Sequence, residues 1–291
     1  EAQGTRLSQN LLHDNQRPPF ASVLKGGMMS QDIFVEVGHG PTLIDNNIML
    51  SDASLRFATE GVALVHNLIC GALTCVGGGT GPRYTPYHMP HRTEVMGFMT
   101  VLHGDDRFYN NIFVQKWPSD DIITMHDSDD GFDTENRAAG TWMFDEYPTY
   151  DEWISQFDFS KPADMAKLYG AHEGKLPVWI EGNAYLGGAK PSKKDVNALI
   201  SAVAREDVRV ELVQKEDGYY LDTNVYELIE GFKNRMIDSD VLGKAFEPEE
   251  RFENPDGTAI RFDSDYFGTH RGVDVIPGPF AGAEEAAKVL Y

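Results

Sequence analysis

Over 291 residues the chain carries 46 acidic and 25 basic side chains, a net charge of −21. That balance excludes a nucleic-acid binder, because phosphate contacts need clustered Lys and Arg, whereas an uncharged ligand such as a sugar is indifferent to the field. With 41% hydrophobic residues the chain is globular and can bury a large core, and no apolar run approaches the roughly 18 residues that a membrane-crossing helix needs.

Cys70 and Cys75 are the only cysteines. They form neither a zinc set nor a disulfide framework, which favours a cytoplasmic setting over secretion. The opening Glu1-Ala2-Gln3-Gly4 carries no initiator Met and no signal peptide, and is expected to be an interior position of a longer protein.

Along the chain one short pattern recurs: a large apolar residue, any two residues, Asn, then Leu, Ile or Ala. It begins at Leu7-x-x-Asn10-Leu11 and returns at Ile44-x-x-Asn47-Ile48, Leu64-x-x-Asn67-Leu68, Phe108-x-x-Asn111-Ile112 and Ile180-x-x-Asn183-Ala184. The smallest spacing, from Asn47 to Asn67, is 20 residues; the larger ones fit a basic coil with inserted loops. An Asn at a fixed turn position can stack on its copies, so the pattern predicts an all-β fold, a right-handed parallel β-helix, over residues 1–189. A β-sandwich also has many short strands, but does not explain the constant phase of the Asn.

Between the repeats, Ile33 to Val37 reads as a strand with Ile33, Val35 and Val37 inward and Glu36 outward. Asp120 to Arg137 reads as an acidic surface excursion; its Asp127-x-Asp129-Asp130-Gly131 run lacks the spacing of a calcium loop. Thr149-x-x-Glu152 is a capping box that starts a short helix. A second helix is expected over Lys194 to Val203. Residues 190–291 read as strands and loops packed on the coils, with a hairpin around Lys215-Glu216-Asp217 and a strand at Ala259 to Phe262 after the Pro255-Asp256-Gly257 turn.

The chemistry centres on Glu36. An outward Glu on a strand is in general simply solvated, but this one lies 11 residues before the ladder residue Asn47. Counting back equally from Asn10 gives position −1, upstream of Glu1; counting back from the later ladder residues gives Arg56, Thr100 and His172. Neighbouring coils lie about 4.8 Å apart, so carboxylates at equivalent outward positions would sit about 5 Å apart. Retaining glycosidases hold their nucleophile and acid/base about 5–5.5 Å apart, and inverting ones roughly 6.5–9.5 Å. A partner carboxylate is therefore expected at position −1.

The stretches Glu-Ala-Gln-Gly-Thr-Arg at 1–6, Phe34-Val35-Glu36-Val37-Gly38-His39-Gly40-Pro41, His91-Arg92-Thr93-Glu94-Val95 and Gly104 to Phe113 resemble family 120 of the glycoside hydrolases. The likeness continues through Val178 to Tyr185 and on to Pro277-Gly278-Pro279-Phe280. The resemblance implies a parallel β-helix β-xylosidase, with Glu36 as general acid/base and an Asp at position −1 as nucleophile. The nucleophile would come from an N-terminal segment of the same enzyme, and a homo-oligomer is left open. The long stretches from His13 to Met29 and from Pro118 to His172 depart from the family and would shape the pocket.

Three further residues are candidates for the substrate. His39 follows the Glu36 strand and could meet a sugar hydroxyl or simply hold its turn; His91 and Glu94 fall in a loop rich in Pro and aromatics. No metal or cofactor is expected, because His88, His91 and Glu94 offer no helical spacing and no further ligand. Asp105 and Asp106 read as turn caps. The leading function is a retaining hydrolase releasing xylose from β-1,4-xylo-oligosaccharides. The alternatives are a parallel β-helix polysaccharide lyase, which would need a calcium cluster and a basic catalytic residue, or a non-catalytic carbohydrate-binding β-helix.

Overall fold

The repeated Asn marks one corner of a parallel β-helix. The structure, a computed structural model, describes residues 2–15, 30–77, 84–116, 119–126, 134–162 and 175–291. The expected long loop at 13–29, the Asp127 run and His172 lie wholly or largely outside the described residues.

The chain winds through three sheets in turn. β1 (Thr5–Ser8), β2 (Leu11–Leu12) and β3 (Ile33–Glu36) are followed by β4 (Thr42–Asp45), β5 (Ile48–Met49) and β6 (Ala53–Ala58). The next coil is β7 (Val62–Val65), β8 (Leu68–Ile69) and β9 (Ala72–Gly77). An antiparallel hairpin of β10 (Tyr84–His88) and β11 (Val95–Thr100) then leaves the coil, which resumes at β12 (Asp106–Tyr109) and β13 (Ile112–Val114). β14 (Ile123–His126) and β15 (Thr134–Ala138) follow, then β16 (Val178–Glu181), β17 (Ala184–Leu186) and β18 (Leu199–Ile200). The sheet orders are β1-β4-β7-β12-β16, β18-β17-β13-β8-β5-β2 and β14-β15-β9-β6-β3.

Each letter of the repeat has a physical task. Its first apolar residue faces the lumen, so Leu7, Ile44, Leu64, Phe108 and Ile180 lie in register across the first sheet. The residue before each Asn turns the corner with φ between 52° and 73° at Gln9, Asn46, His66, Asn110 and Gly182. The Asn then bonds its copy: Asn47 donates its backbone N–H (3.0 Å) and side-chain amide (3.1 Å) to Asn67 Oδ1. Asn10, Asn67 and Asn111 repeat this pattern onto Asn47, Asn111 and Asn183. The residue after the Asn faces outward, where Ile48, Leu68, Ile112 and Ala184 pack with Val210, Leu221, Tyr226 and Phe280.

Residues 190–291 thus share their apolar core with the coils. The expected hairpin is present as β19 (Val210–Lys215) and β20 (Gly218–Thr223). On the first sheet's outer face, Leu43, Ala63 and Val65 pack with Ile237, Phe252 and Phe262. Arg107 also lies on that face, stacked over Trp179 at 4.5 Å and Phe252 at 4.7 Å. The C-terminal segment thus covers the outer faces of the first two sheets, while Phe34 and Glu36 of β3 are exposed on the outer face of the third.

Several local expectations need correction. Lys194 to Val203 is not helical: β18 pairs in parallel with β17, placing Ala198 at the next ladder position and Asn197 (φ 61°) at its corner. This is a degenerate repeat in which Ala stands for Asn. Asp195 replaces the absent amide by accepting from Asn183 Nδ2 (3.1 Å) and Tyr185 OH (2.6 Å). Ala259 to Phe262 forms only isolated bridges, Glu253 to Ala259 and Asp238 to Arg261. Within 120–137, β15 pairs with β9 and extends the third sheet rather than merely crossing the surface. The capping box does start a helix, α1 (Tyr150–Ile154), with Thr149 and Glu152 bonded reciprocally.

The Asp195 cap has a measurable consequence. Burial pushes its carboxyl up to about 6, against the bonds from Tyr185 and Asn183, and its Oδ1 has no partner. An acid whose pKa is higher when folded costs nothing below its unfolded value near 4 and its full penalty above about 6. Asp195→Asn should therefore leave stability almost unchanged at pH 4 and raise it by about 1–2 kcal/mol at pH 7–8. Denaturant titrations at both pH values check this; an equal change at both would refute the assignment.

Candidate active site

Glu36 is the last residue of β3, its side chain exposed on the third sheet's outer face while Ile33 and Val35 pack into the lumen. Val37 departs from the expected inward position. It sits at φ 43°, a region that β-branched residues rarely occupy, and its N–H donates to Ala58 O at 2.7 Å. The strand therefore stops abruptly after Glu36, and the chain turns through 37–41 into the first sheet.

Successive turns stack here. Glu60 N donates to Gly38 O at 3.2 Å and Gly61 N to Gly104 O at 3.1 Å. A Cβ on Gly40 would lie 2.5 Å from Gly61 O, so no side chain fits between these two turns. Glu60, 1% exposed, ties three turns together: Oε1 meets His39 Nδ1 at 2.5 Å and Oε2 accepts Leu102 N at 2.7 Å. His39 Nε2 lies 3.1 Å from Thr85 O. Burial alone would lower the His39 pKa, but the Glu60 bond and charge more than offset it and leave it raised. With both ring nitrogens occupied by protein groups, His39 holds the turn behind Glu36.

The β10–β11 hairpin closes one side of this turn. Gln3 fastens it, donating to His88 O at 3.1 Å and accepting from His88 N at 2.9 Å. Thr85 and Tyr87 lie on one face of β10, and the Tyr87 ring meets His39 edge-on at 5.8 Å. The Thr85 Oγ1 is buried and has no partner. From the other side comes the turn around Glu247, anchored by Phe246 N to Asp105 Oδ2 (2.9 Å) and by Glu250 to Gln3. Burial first, then the charge of Glu60, pushes the Glu247 carboxyl up to about 7, with His39 acting against the shift.

Asp105 and Asp106 do more than cap a turn. Burial raises both; Asp105, at about 6, pairs with Arg107 at 2.8 Å, and Asp106 accepts Val62 N at 3.2 Å. Neither thiol is poised for reaction: Cys70 and Cys75 are buried, and burial pushes each up to about 12.

The structure separates the remaining candidates. His91, half exposed, pairs with Glu253 at 2.7 Å in a cleft of about 230 Å³ that Gln3, Arg6 and Glu250 also line. Glu94 is exposed just before β11. The counted equivalent Arg56 is also displaced: in the sheet Glu36 aligns with Ala58, and Arg56 with Phe34. Thr100 belongs to the hairpin rather than to the third sheet. Glu60, Thr85, Tyr87 and Glu247 escaped the sequence reading. The pairing of His39 with Glu60 did leave a trace, because the two are 21 residues apart, one coil length.

No known protein-family profile and no curated protein matches the chain. A solved structure, XylC in complex with xylose, superposes on it with a TM-score of 0.76 at 30% identity. This chain is similar to XylC. The match covers 96% of this chain and 38% of the XylC chain, so the sequence spans well under half the length of its solved relative.

Proposed function

We propose that this chain is the acid/base-bearing part of a retaining β-xylosidase of glycoside hydrolase family 120. The observation that carries the reading is the placement of Glu36, outward at the end of β3, beside turns locked by the His39–Glu60 pair, in a fold shared with XylC. Glu36 donates a proton to the leaving oxygen as the glycosidic bond breaks and later removes one from the water that releases the sugar. The nucleophile carboxylate occupies the equivalent outward position on a strand paired to β3 on the side away from β6. Strands pair about 4.8 Å apart, which matches the carboxylate separation of double displacement.

In this reading Thr85, Tyr87 and Glu247, which surround His39, line the turn side of the site, where the terminal xylose would sit, and the rest of the substrate lies along the third sheet. His39 serves by positioning; His91 and Glu94 lie further along the hairpin and would touch only longer substrates. The test is stereochemical. The intact protein, incubated with an aryl β-xyloside and followed by proton NMR, should first release β-xylose, which then mutarotates. First-formed α-xylose would overturn retention, and no release would overturn the family reading.

A further inference from the structure

Between Glu36 and the His39–Glu60 pair lies a shorter fastening, made by Thr59. This residue follows Ala58, the register partner of Glu36 on β6, and is 1% exposed. Its hydroxyl grips both ends of buried Gly38: Oγ1 accepts the Gly38 N–H at 3.1 Å and donates to Gly38 O at 2.7 Å. Gly38 O has a second partner in Glu60 N, whereas among the described residues Gly38 N bonds only this hydroxyl.

One residue earlier the backbone works against the turn. Val37 is β-branched yet holds φ 43°, a costly conformation for such a side chain. Freed of restraint it would relax toward the extended region and carry the turn away from β6. The bond from Val37 N to Ala58 O, 2.7 Å long, fixes the peptide that Glu36 and Val37 share. The Thr59 hydroxyl fixes the two peptides that follow, against the same strand end. All of these contacts lie on the β6 side of β3, within the described coil.

We propose that Thr59 is a positioning residue for the acid/base: its hydroxyl holds the strained turn closed and so fixes the Glu36 carboxyl where a leaving oxygen can take its proton. Proton transfer depends on such placement, and a misplacement of about 1 Å can cost roughly 10²-fold. The proposal rests on the β-xylosidase reading and adds to it a buried residue that acts only through Glu36.

The experiment compares intact wild type, Thr59→Val and Thr59→Ser. Two rates report the first chemical step: kcat/KM on xylobiose, which needs the proton, and single-turnover phenolate release from a dinitrophenyl β-xyloside, which needs little of it. Thr59→Val keeps the shape and loses both bonds; it should fall about tenfold on xylobiose, through kcat rather than KM. Its phenolate release should stay within about twofold of wild type. Thr59→Ser restores the hydroxyl and should recover xylobiose turnover to within about threefold. The amplitude of phenolate release counts competent sites, so a partly unfolded variant is still read correctly. Should Thr59→Val yield no folded protein, Thr59→Cys, with its weaker and longer bonds, carries the same comparison. Equal losses on the two substrates, a loss confined to KM, or no loss on xylobiose would overturn the positioning role while leaving the enzyme reading intact. Wild type inert on both would overturn the reading and the proposal together.

Discussion

Glu36→Ala in the intact protein is expected to lose roughly 10²–10⁴-fold in rate on substrates with poor leaving groups. Xylobiose needs a full proton on its departing oxygen, whereas an activated dinitrophenyl xyloside departs almost unaided. The loss on the activated substrate should therefore be far smaller at the first step. Deglycosylation still needs a base, so the covalent intermediate should accumulate and give a burst of phenolate. Azide attacks that intermediate without base help and should restore turnover, yielding β-xylosyl azide with retained configuration. Equal losses on both substrate types, with no azide product, would remove Glu36 from this role and favour the binding-module alternative.

Asn67→Ala should be among the most damaging single changes in the ladder. The side chain is fully buried; its oxygen accepts two bonds from Asn47, and its amide donates to Ile44 O at 2.8 Å and Asn111 Oδ1 at 3.0 Å. Truncation strands two buried donors on Asn47 and one carbonyl on Ile44, and each such group costs about 1–3 kcal/mol. A net loss of about 3–5 kcal/mol follows, roughly 5–8 °C in Tm for a chain of this size. Asn10→Ala is the internal control. Among the described residues Asn10 is exposed, and its amide donates to Asn47 Oδ1 and Ser8 O. Its loss should stay below about 1 kcal/mol. Equal Tm shifts for the two variants would show that the ladder contributes nothing beyond local turns.

The contrast between these two residues also explains what was legible in the sequence. The ladder could be read because each Asn does the same job at the same phase, with a lumen residue three positions before it. The exposure of Glu36 could be read because strand alternation is local. Register between coils could not be read by counting. Six residue steps separate Glu36 from Thr42, but only four separate Ala58 from Val62, so the count landed on Arg56 instead of Ala58. The helix expected over Lys194 to Val203 failed because its repeat has Ala198 where Asn belongs, and pairing with β17 overrode local propensity. Thr85, Tyr87 and Glu247 were invisible for another reason. They reach the Glu36 turn from a hairpin and from the C-terminal segment, and no local pattern encodes such long-range meetings.

The unequal spacing of the ladder also bears on how the coil assembles. Adjacent rungs are separated by 20 residues between Asn47 and Asn67, 44 between Asn67 and Asn111, and 72 between Asn111 and Asn183. Closing a flexible loop grows harder only logarithmically, so the longest interval costs about 1 kcal/mol more than the shortest. Winding should begin at the short intervals, the 20 residues from Asn47 to Asn67 and the 15 from Asn183 to Ala198, and spread outward rung by rung, each new coil adding to an edge already made. On that view the 44- and 72-residue intervals delay the growth front without weakening the finished wall. The excursions between rungs can therefore lengthen at small thermodynamic expense, so that selection acting on these loops can proceed almost independently of selection on the coil.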